Sequence, residues 1–144
     1  MSSAVASLRA RTDRSPRTLG VALGDLLLIG LFVVLGELQH GYDLVADAPR
    51  VVGTALPFLV GWALVSILAG VYAPVVHRSV GTAAGRTALA WTGAALVGQA
   101  LRATSVFPGG FAHAFVLVSL GAGLALLVPW RAAVAYVGTR DRAG

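Results

Sequence analysis

Four long apolar stretches follow one another along the chain, and short segments rich in polar residues, glycine or proline separate them. We predict one helix in each stretch, over residues of about 18–38, 51–73, 83–103 and 111–130. At 1.5 Å per residue, each predicted helix is long enough to cross a hydrocarbon core of ~30 Å. The pattern therefore predicts an all-α, polytopic membrane protein with four transmembrane helices in a small bundle.

The two ends of the chain are polar and rich in arginine. We expect a disordered basic cytoplasmic tail over residues 1–15, a four-helix membrane domain over residues 16–137, and a second disordered cytoplasmic tail over residues 138–144. Ser15 followed by Pro16 is typical of an N-cap and the first position of a helix. A cleaved signal peptide is the competing interpretation of residues 1–40, but the apolar run is long for one and lacks a small-residue cleavage site at its end.

The third apolar stretch gives the weakest prediction of a transmembrane helix. Its uncharged core covers only residues 87–101, and Arg86 and Arg102 bound it on either side. Arginine side chains at such positions can extend toward the membrane surface while the helix still crosses. We therefore keep this stretch as the third of the four transmembrane helices.

Composition supports the bilayer as the solvent and excludes several function classes. The chain is 57% hydrophobic and only 12% charged, which is too little charge for the surface of a soluble domain. It has no cysteine, so disulfides, thiol catalysis and cysteine-ligated metals are excluded. The arginines lie at the edges of apolar segments instead of forming one basic face, so we expect no nucleic-acid partner. Because the sequence has no phosphate-binding loop or nucleophile motif, we expect neither an enzyme nor a cofactor.

The arginines also predict the orientation of the protein in the membrane. Nine of the 11 lie in the N-terminal tail, the second loop and the C-terminal end, and two lie on the other side. Positive residues concentrate on the cytoplasmic side of membrane proteins. We therefore expect a multi-pass protein of the cell membrane with both termini in the cytoplasm.

Asp25 is the one acidic residue deep inside a predicted transmembrane helix. A carboxylate at the centre of such a helix costs ~2.5–3.5 kcal/mol on insertion scales, so it should face the bundle. In one interpretation it pairs with Arg86 or with hydroxyl groups and holds the first helix against the third. In the other it exchanges a proton or meets a cation during transport. The candidate proton, cation or substrate site comprises Asp25, His40, Trp62, Trp91 and Arg102.

A second polar layer is predicted near the non-cytoplasmic ends of the helices. Besides His40 and Arg102, it contains Glu37, Arg50, Gln99 and His113. Glu37 and Arg102 are candidates for an ion pair. The layer either caps helix ends or forms the mouth of a binding site, and we expect no metal there.

Pro57 lies inside the second predicted helix and is expected to kink it, which frees a backbone carbonyl. Trp62 follows five residues later, near the middle of the same helix. We expect its indole N–H to bond to the carbonyl that Pro57 frees or to a side chain. Further along the chain, Pro129, Trp130 and Arg131 should mark the exit of the fourth helix into the interface.

Several segments together carry a resemblance. They are GDLLL from Gly24 with Gly36 and His40, LPF from Leu56 with Gly61 and Trp62, Ala90–Trp91 with Gly98 and Arg102, and Phe115 leading to Trp130 and Arg131. In these the chain resembles an uncharacterised prokaryotic family of four-helix membrane proteins, domain of unknown function 3054, found in archaea and actinobacteria. The resemblance covers about residues 18–131 and implies no activity. It implies these signature positions: Asp25, His40, Pro57, Trp62, Trp91, Arg102 and Arg131.

Two functions remain open on the sequence. The first is a small proton-coupled transporter or permease that uses Asp25 and works as a dimer, because four short helices enclose little space. The second is a structural or accessory membrane protein that binds a partner protein or lipid and transports nothing.

Overall fold

All regular secondary structure in residues 2–144, the range that the computed structural model describes, is helical. This agrees with the all-α prediction. The described residues form five α-helices and one short 3-10 helix. They are α1 (Ser2–Ala10), α2 (Pro16–Gln39), α3 (Ala48–Leu68), the 3-10 helix (Pro74–Arg78), α4 (Val80–Arg102) and α5 (His113–Ala143).

Three of these helices, α2, α3 and α5, are long and apolar enough to cross a membrane. They indicate a membrane protein. The start of α2 confirms the predicted cap, because the Ser15 hydroxyl accepts a hydrogen bond from the Thr18 N–H and Pro16 is the first helical residue. That bond satisfies one of the amide groups left without a partner at the start of a helix.

α4 lies between α3 and α5 and is the most enclosed of the long helices. Its buried face is built largely of small residues, among them Ala90, Ala94 and Gly98. Small side chains allow neighbouring helices to approach closely, which is the main source of attraction between helices in lipid. The lower hydropathy of α4 therefore follows from its position, because this helix faces protein on two sides.

An aromatic cluster fills the centre of the bundle. Phe32 on α2 meets the ring of Phe58 on α3 edge-on at 5.5 Å between centroids, and Phe58 stacks on Trp91 of α4 at 6.1 Å. Phe115 of α5 completes the contact with both phenylalanines. Aromatic pairs in these geometries add ~0.5–1.5 kcal/mol each beyond the burial of their surface. The cluster joins all four long helices.

The ends of the helices differ from the predicted bounds. The second predicted helix ends at Leu68 instead of residue 73, because Gly70 adopts a positive φ of 64° and the chain then enters the 3-10 helix. The fourth begins at His113 and continues through Pro129 to Ala143, so residues 138–144 are mostly helical. Two arginines hold this extension, because Arg17 donates to the Val134 carbonyl and Arg142 to the His77 carbonyl.

The N-terminal tail is also more ordered than predicted. Residues Ser2–Ala10 form α1, and two contacts tie the segment that follows it to the end of α3. Arg11 donates to the Leu68 carbonyl at 3.0 Å, and the Asp13 N–H donates to the Tyr72 carbonyl at 2.8 Å. Patterns of apolar residues do not reveal such long-range bonds to backbone carbonyls.

Candidate functional site

Asp25 lies at the centre of a buried polar cluster that we call the Asp25 clasp, formed with Tyr72, Trp130 and Arg131. Asp25 has no exposed surface. The Tyr72 hydroxyl donates to Oδ2 at 2.6 Å and the Trp130 indole N–H donates to Oδ1 at 3.1 Å. The Nε atom of Arg131 lies 3.3 Å from Oδ1. Two hydrogen-bond donors and one guanidinium thus surround the carboxylate; Tyr72 follows α3, and Trp130 and Arg131 are consecutive residues of α5.

The donors of the Asp25 clasp are themselves fixed in place. Arg131 donates through Nη2 to the Val71 carbonyl at 3.1 Å, and its guanidinium lies 4.8 Å from the centroid of the Tyr72 ring. The Tyr72 hydroxyl accepts a hydrogen bond from the Trp62 indole at 3.0 Å. A buried charge is tolerated when it is paired and hydrogen-bonded, and the clasp meets both conditions.

Of the two partners predicted for Asp25, a hydroxyl group is present, from Tyr72, but Arg86 is not. Arg86 donates to the Gly70 carbonyl, and Arg131 takes the place beside the carboxylate. Arg131 is only 2% exposed, because α5 continues past it instead of leaving the membrane domain there. The sequence did not indicate Tyr72 as part of the site. The second predicted helix includes this residue, whereas in the structure it lies in the turn after α3. In the sequence, only the resemblance to the family indicated Arg131 as a candidate for the site.

The five residues of the predicted site do not come together. Trp62 joins the Asp25 clasp through Tyr72, whereas the Trp91 indole donates to the Ser119 carbonyl inside the aromatic cluster. His40 and Arg102 lie at the other end of the bundle and line a separate cavity. Pro57 is buried inside α3, and the Trp62 indole bonds to a side chain, one of its two predicted partners.

A cavity of about 180 Å³ opens at the end of the bundle away from the Asp25 clasp. We call it the Arg102 cavity. It combines a polar group of side chains with an apolar wall, and it receives residues from α2, α3, α4 and α5. Its lining residues are Phe32, Val33, Gly36, Glu37, His40, Arg50, Thr54, Arg102 and Phe115.

The Glu37 carboxylate in this cavity is already paired. Arg50 donates through Nε to Oε2 at 3.1 Å, and the Thr54 hydroxyl donates to Oε1 at 2.7 Å. The Arg50 guanidinium also lies 4.0 Å from the centroid of the Tyr42 ring. The ion pair predicted between Glu37 and Arg102 is therefore replaced by one between Glu37 and Arg50.

Arg102 differs from Asp25, Glu37 and Arg131, because no oppositely charged side chain in residues 2–144 lies within ion-pairing distance of it. It is 7% exposed, yet neither its Nε nor its Nη1 atom has a hydrogen-bond partner within residues 2–144. The guanidinium lies 4.5 Å from the centroid of the Phe115 ring. Gly109, with a φ of 100°, packs against its other nitrogen, where a Cβ atom would not fit. A buried guanidinium without a hydrogen-bonding partner is costly, so its place in the wall of a cavity needs explanation.

The other residues of the predicted polar layer lie apart from Arg102. Gln99 is buried between α4 and α5 and donates to the Ser119 hydroxyl at 3.0 Å. His113 is exposed at the start of α5, and exposed His40 bonds to the Gly36 carbonyl at 2.7 Å through Nδ1. Within residues 2–144, no group of three or more histidine or acidic side chains is arranged to hold a metal.

A third polar cluster links the start of α2 to the 3-10 helix. The hydroxyls of Ser15 and Thr18 each donate to Asp13 Oδ2 at 2.7 Å. These bonds hold the pKa of the Asp13 carboxyl below its usual value. His77 lies 3.3 Å from the Thr18 hydroxyl through Nε2, and burial lowers the pKa of its imidazole. The neutral imidazole is the form that this environment favours.

Comparison with known proteins gives one match. The family model described as "Protein of unknown function (DUF3054)" matches residues 22–134. The chain belongs to this family. The matched range includes all four members of the Asp25 clasp and every residue that lines the Arg102 cavity. No curated protein and no solved structure matches the chain. The resemblance in the sequence is thereby confirmed, and the site must be interpreted from its own chemistry.

Proposed function

We propose that this DUF3054 protein is a structural or accessory protein of the cell membrane that binds a partner protein or lipid and moves no solute through Asp25. It is not an enzyme. The observation that carries the proposal is the Asp25 clasp, in which a fully buried carboxylate accepts from Tyr72 and Trp130 and pairs with Arg131. Such a group stabilises a bundle and has no vacant position for a cargo.

The surroundings of Asp25 also support this proposal. Asp25 lines none of four cavities in residues 2–144, although Tyr72 and Trp62 line one of them. A carboxyl that carries protons or cations in a transporter normally faces a water-filled cavity. Moreover, the Trp130 indole N–H donates to Asp25 and the Arg131 guanidinium pairs with it, as suits an ionised carboxylate. A fixed, paired carboxylate is the simplest consequence.

We further propose four transmembrane helices with both termini in the cytoplasm. α4 has 23 residues and packs along α3 and α5, so it runs beside them for its whole length. Arg17 and Arg142 bring the start of α2 and the end of α5 to one end of the bundle, where most of the arginines lie. A reporter fused after Gly144 should therefore be active only in the cytoplasm, and an exterior signal would contradict the orientation.

Infrared titration of the protein in lipid tests the role of Asp25, with Asp25→Asn as the comparison. We expect the wild type to show no protonated-carboxyl band that titrates near neutral pH and is absent from Asp25→Asn, because Arg131 and two hydrogen-bond donors pair with the carboxylate. The same variant should unfold at a lower temperature in detergent, since it weakens the pair with Arg131. Glu37→Gln is a matched control for assigning carboxyl bands.

The proton-coupled transporter is the alternative, and the same experiment distinguishes it. A transporter requires an Asp25 band that titrates near neutral pH, together with a variant that keeps its thermal stability. That pair of results would overturn the structural role and direct work to flux assays. A dimer, or a complex with another membrane protein, is part of either proposal, and chemical cross-linking in native membranes measures it.

A further inference from the structure

We propose that the Arg102 cavity is a binding site for a small oxyanion that carries one negative charge and an apolar body. The proposal starts from the two guanidinium nitrogens, Nε and Nη1, that have no partner in residues 2–144 although Arg102 is 7% exposed. Guanidinium N–H groups are the donors that proteins use for carboxylate and phosphate oxygens. The inference does not depend on whether Asp25 takes part in transport.

The charge of the cavity fits a monoanion. Arg50 and Arg102 are its cations, and Glu37 is its acid. Glu37 accepts hydrogen bonds from both Arg50 and Thr54, so Arg50 balances its negative charge locally. Glu37 makes no hydrogen bond with Arg102. One positive charge is therefore left over on Arg102. A ligand with one negative charge restores neutrality, whereas a cation would meet an unbalanced guanidinium.

The size and walls of the cavity indicate the rest of the ligand. About 180 Å³ is smaller than the ~300–1,000 Å³ of sites for drug-sized molecules, so the bound part must be small. Phe32, Val33 and Phe115 form the apolar wall, and the Phe115 ring also covers the Arg102 guanidinium. An oxyanion on a ring or a short chain can place its oxygens on Arg102 and its carbon atoms on this wall.

Packing around Arg102 indicates a preorganised site. Gly109 lies against the guanidinium with a φ of 100°, so the loop between α4 and α5 fixes one side of the head group. Phe115 fixes its face. A donor that is held in place before a ligand arrives loses little conformational entropy on binding. These contacts position Arg102 and leave its Nε and Nη1 atoms without a hydrogen-bond acceptor in residues 2–144.

Two sources of such an oxyanion are distinguishable. One is a free carboxylate, and the other is the phosphodiester of an anionic lipid, because the cavity is at the end of proposed transmembrane helices. The experiment uses the full chain in nanodiscs of phosphatidylcholine, titrated calorimetrically with benzoate and, as a neutral isostere, with benzamide. A second arm repeats the benzoate titration in nanodiscs that contain phosphatidylglycerol.

Arg102→Gln removes the charge from the cavity, and Arg140→Gln removes the same charge from an exposed position. We expect benzoate to bind the wild type and Arg140→Gln with equal affinity. Its affinity for Arg102→Gln should be lower by about tenfold or more, since a charge-assisted hydrogen bond is lost. Benzamide should not bind. Arg102→Lys, which keeps the charge, should retain part of the affinity and guards against a loss of fold.

The lipid arm identifies the source. If phosphatidylglycerol weakens benzoate binding to the wild type, the lipid phosphodiester occupies the same cavity. If it does not, the site takes the free anion. The proposal is overturned if benzoate does not bind the wild type in phosphatidylcholine nanodiscs, or if it binds Arg102→Gln as well as it binds Arg140→Gln.

Discussion

The molecule contains two buried arginines in opposite situations. Arg131, in the Asp25 clasp, is 2% exposed and pairs with a carboxylate, a carbonyl and an aromatic face. Arg102, in the cavity at the other end, is 7% exposed and keeps an aromatic face but no hydrogen bond at Nε or Nη1. Burial is nearly equal, and Nε lacks a hydrogen bond in both, so the difference is that Arg131 has a carboxylate and a carbonyl beside it whereas no carboxylate in residues 2–144 pairs with Arg102. This difference underlies our proposals that the first arginine supports the fold and that the second binds an external acceptor.

The largest effect is expected from Arg131→Met. The substitution leaves Asp25 buried without its cation, and removing one partner of a buried pair costs about 3–5 kcal/mol. Thermal unfolding in detergent measures the loss. Arg140→Met changes an exposed arginine on the same helix and should be nearly neutral. Equal unfolding temperatures for the two variants would mean that the Asp25 clasp does not stabilise the bundle.

A double variant sharpens this result. Asp25→Leu combined with Arg131→Met replaces the pair by apolar side chains, and such replacements are often neutral or stabilising in other proteins. We expect the double variant to unfold above the temperature of Arg131→Met alone. If it unfolds lower, the remaining donors of Tyr72 and Trp130 matter more than the ion pair does.

Sequence and structure agree best where periodicity and length decide the outcome. The four apolar stretches, the Ser15 cap and the burial of Asp25 all follow from local rules about helices and charges in lipid. A cap involves residues three apart, and an apolar stretch needs no information about its neighbours. These features were therefore accessible from the residues alone.

The partners of the buried charges were not accessible in this way. Asp25 and Trp130 are 105 positions apart, and their contact depends on how α2 and α5 are rotated against each other. Arg86 and Arg131 are both cations that could pair with Asp25, and the packing of the helices determines that Arg131 does so. Likewise, Glu37 pairs with Arg50 instead of Arg102, because the turn before α3 brings Arg50 closer to it. Tertiary packing decides such pairings.

Tyr72→Phe is the next perturbation in size. It removes the hydroxyl that donates to Asp25 and accepts from Trp62, so one charged acceptor and one buried donor lose a partner. A hydrogen bond to a charged group contributes about 1.5–3 kcal/mol, and the variant should lose that much stability. Tyr136→Phe, at an exposed position, is the control. A loss in both variants would trace the effect to something other than the clasp.

Gly123→Ala tests whether the Asp25 clasp and the Arg102 cavity belong to one rigid body. Gly123 on α5 touches the Trp91 indole, and a Cβ atom there would overlap the ring. Overpacking of this kind costs about 1–3 kcal/mol. Gly121→Ala adds the same atom two positions away, where nothing lies within 4 Å, and should be neutral. If Gly123→Ala also alters benzoate binding, displacement of α5 reaches the Arg102 cavity.

The smallest effect is expected from pH, through His77 at the end of the bundle near the Asp25 clasp. Burial lowers the pKa of this imidazole; Arg131, Arg17 and Arg142 act in the same direction, and Asp13 opposes them. The unfolded chain therefore binds the proton more tightly, so stability is complete above the usual histidine pKa of about 6.5 and falls as the pH drops below it. Unfolding temperatures measured between about pH 8 and pH 5 should show this slope, and His77→Gln should flatten it. His113→Gln, at an exposed histidine, should leave the slope intact, and a slope that follows His113 instead would place the titrating group at the wrong end of the molecule.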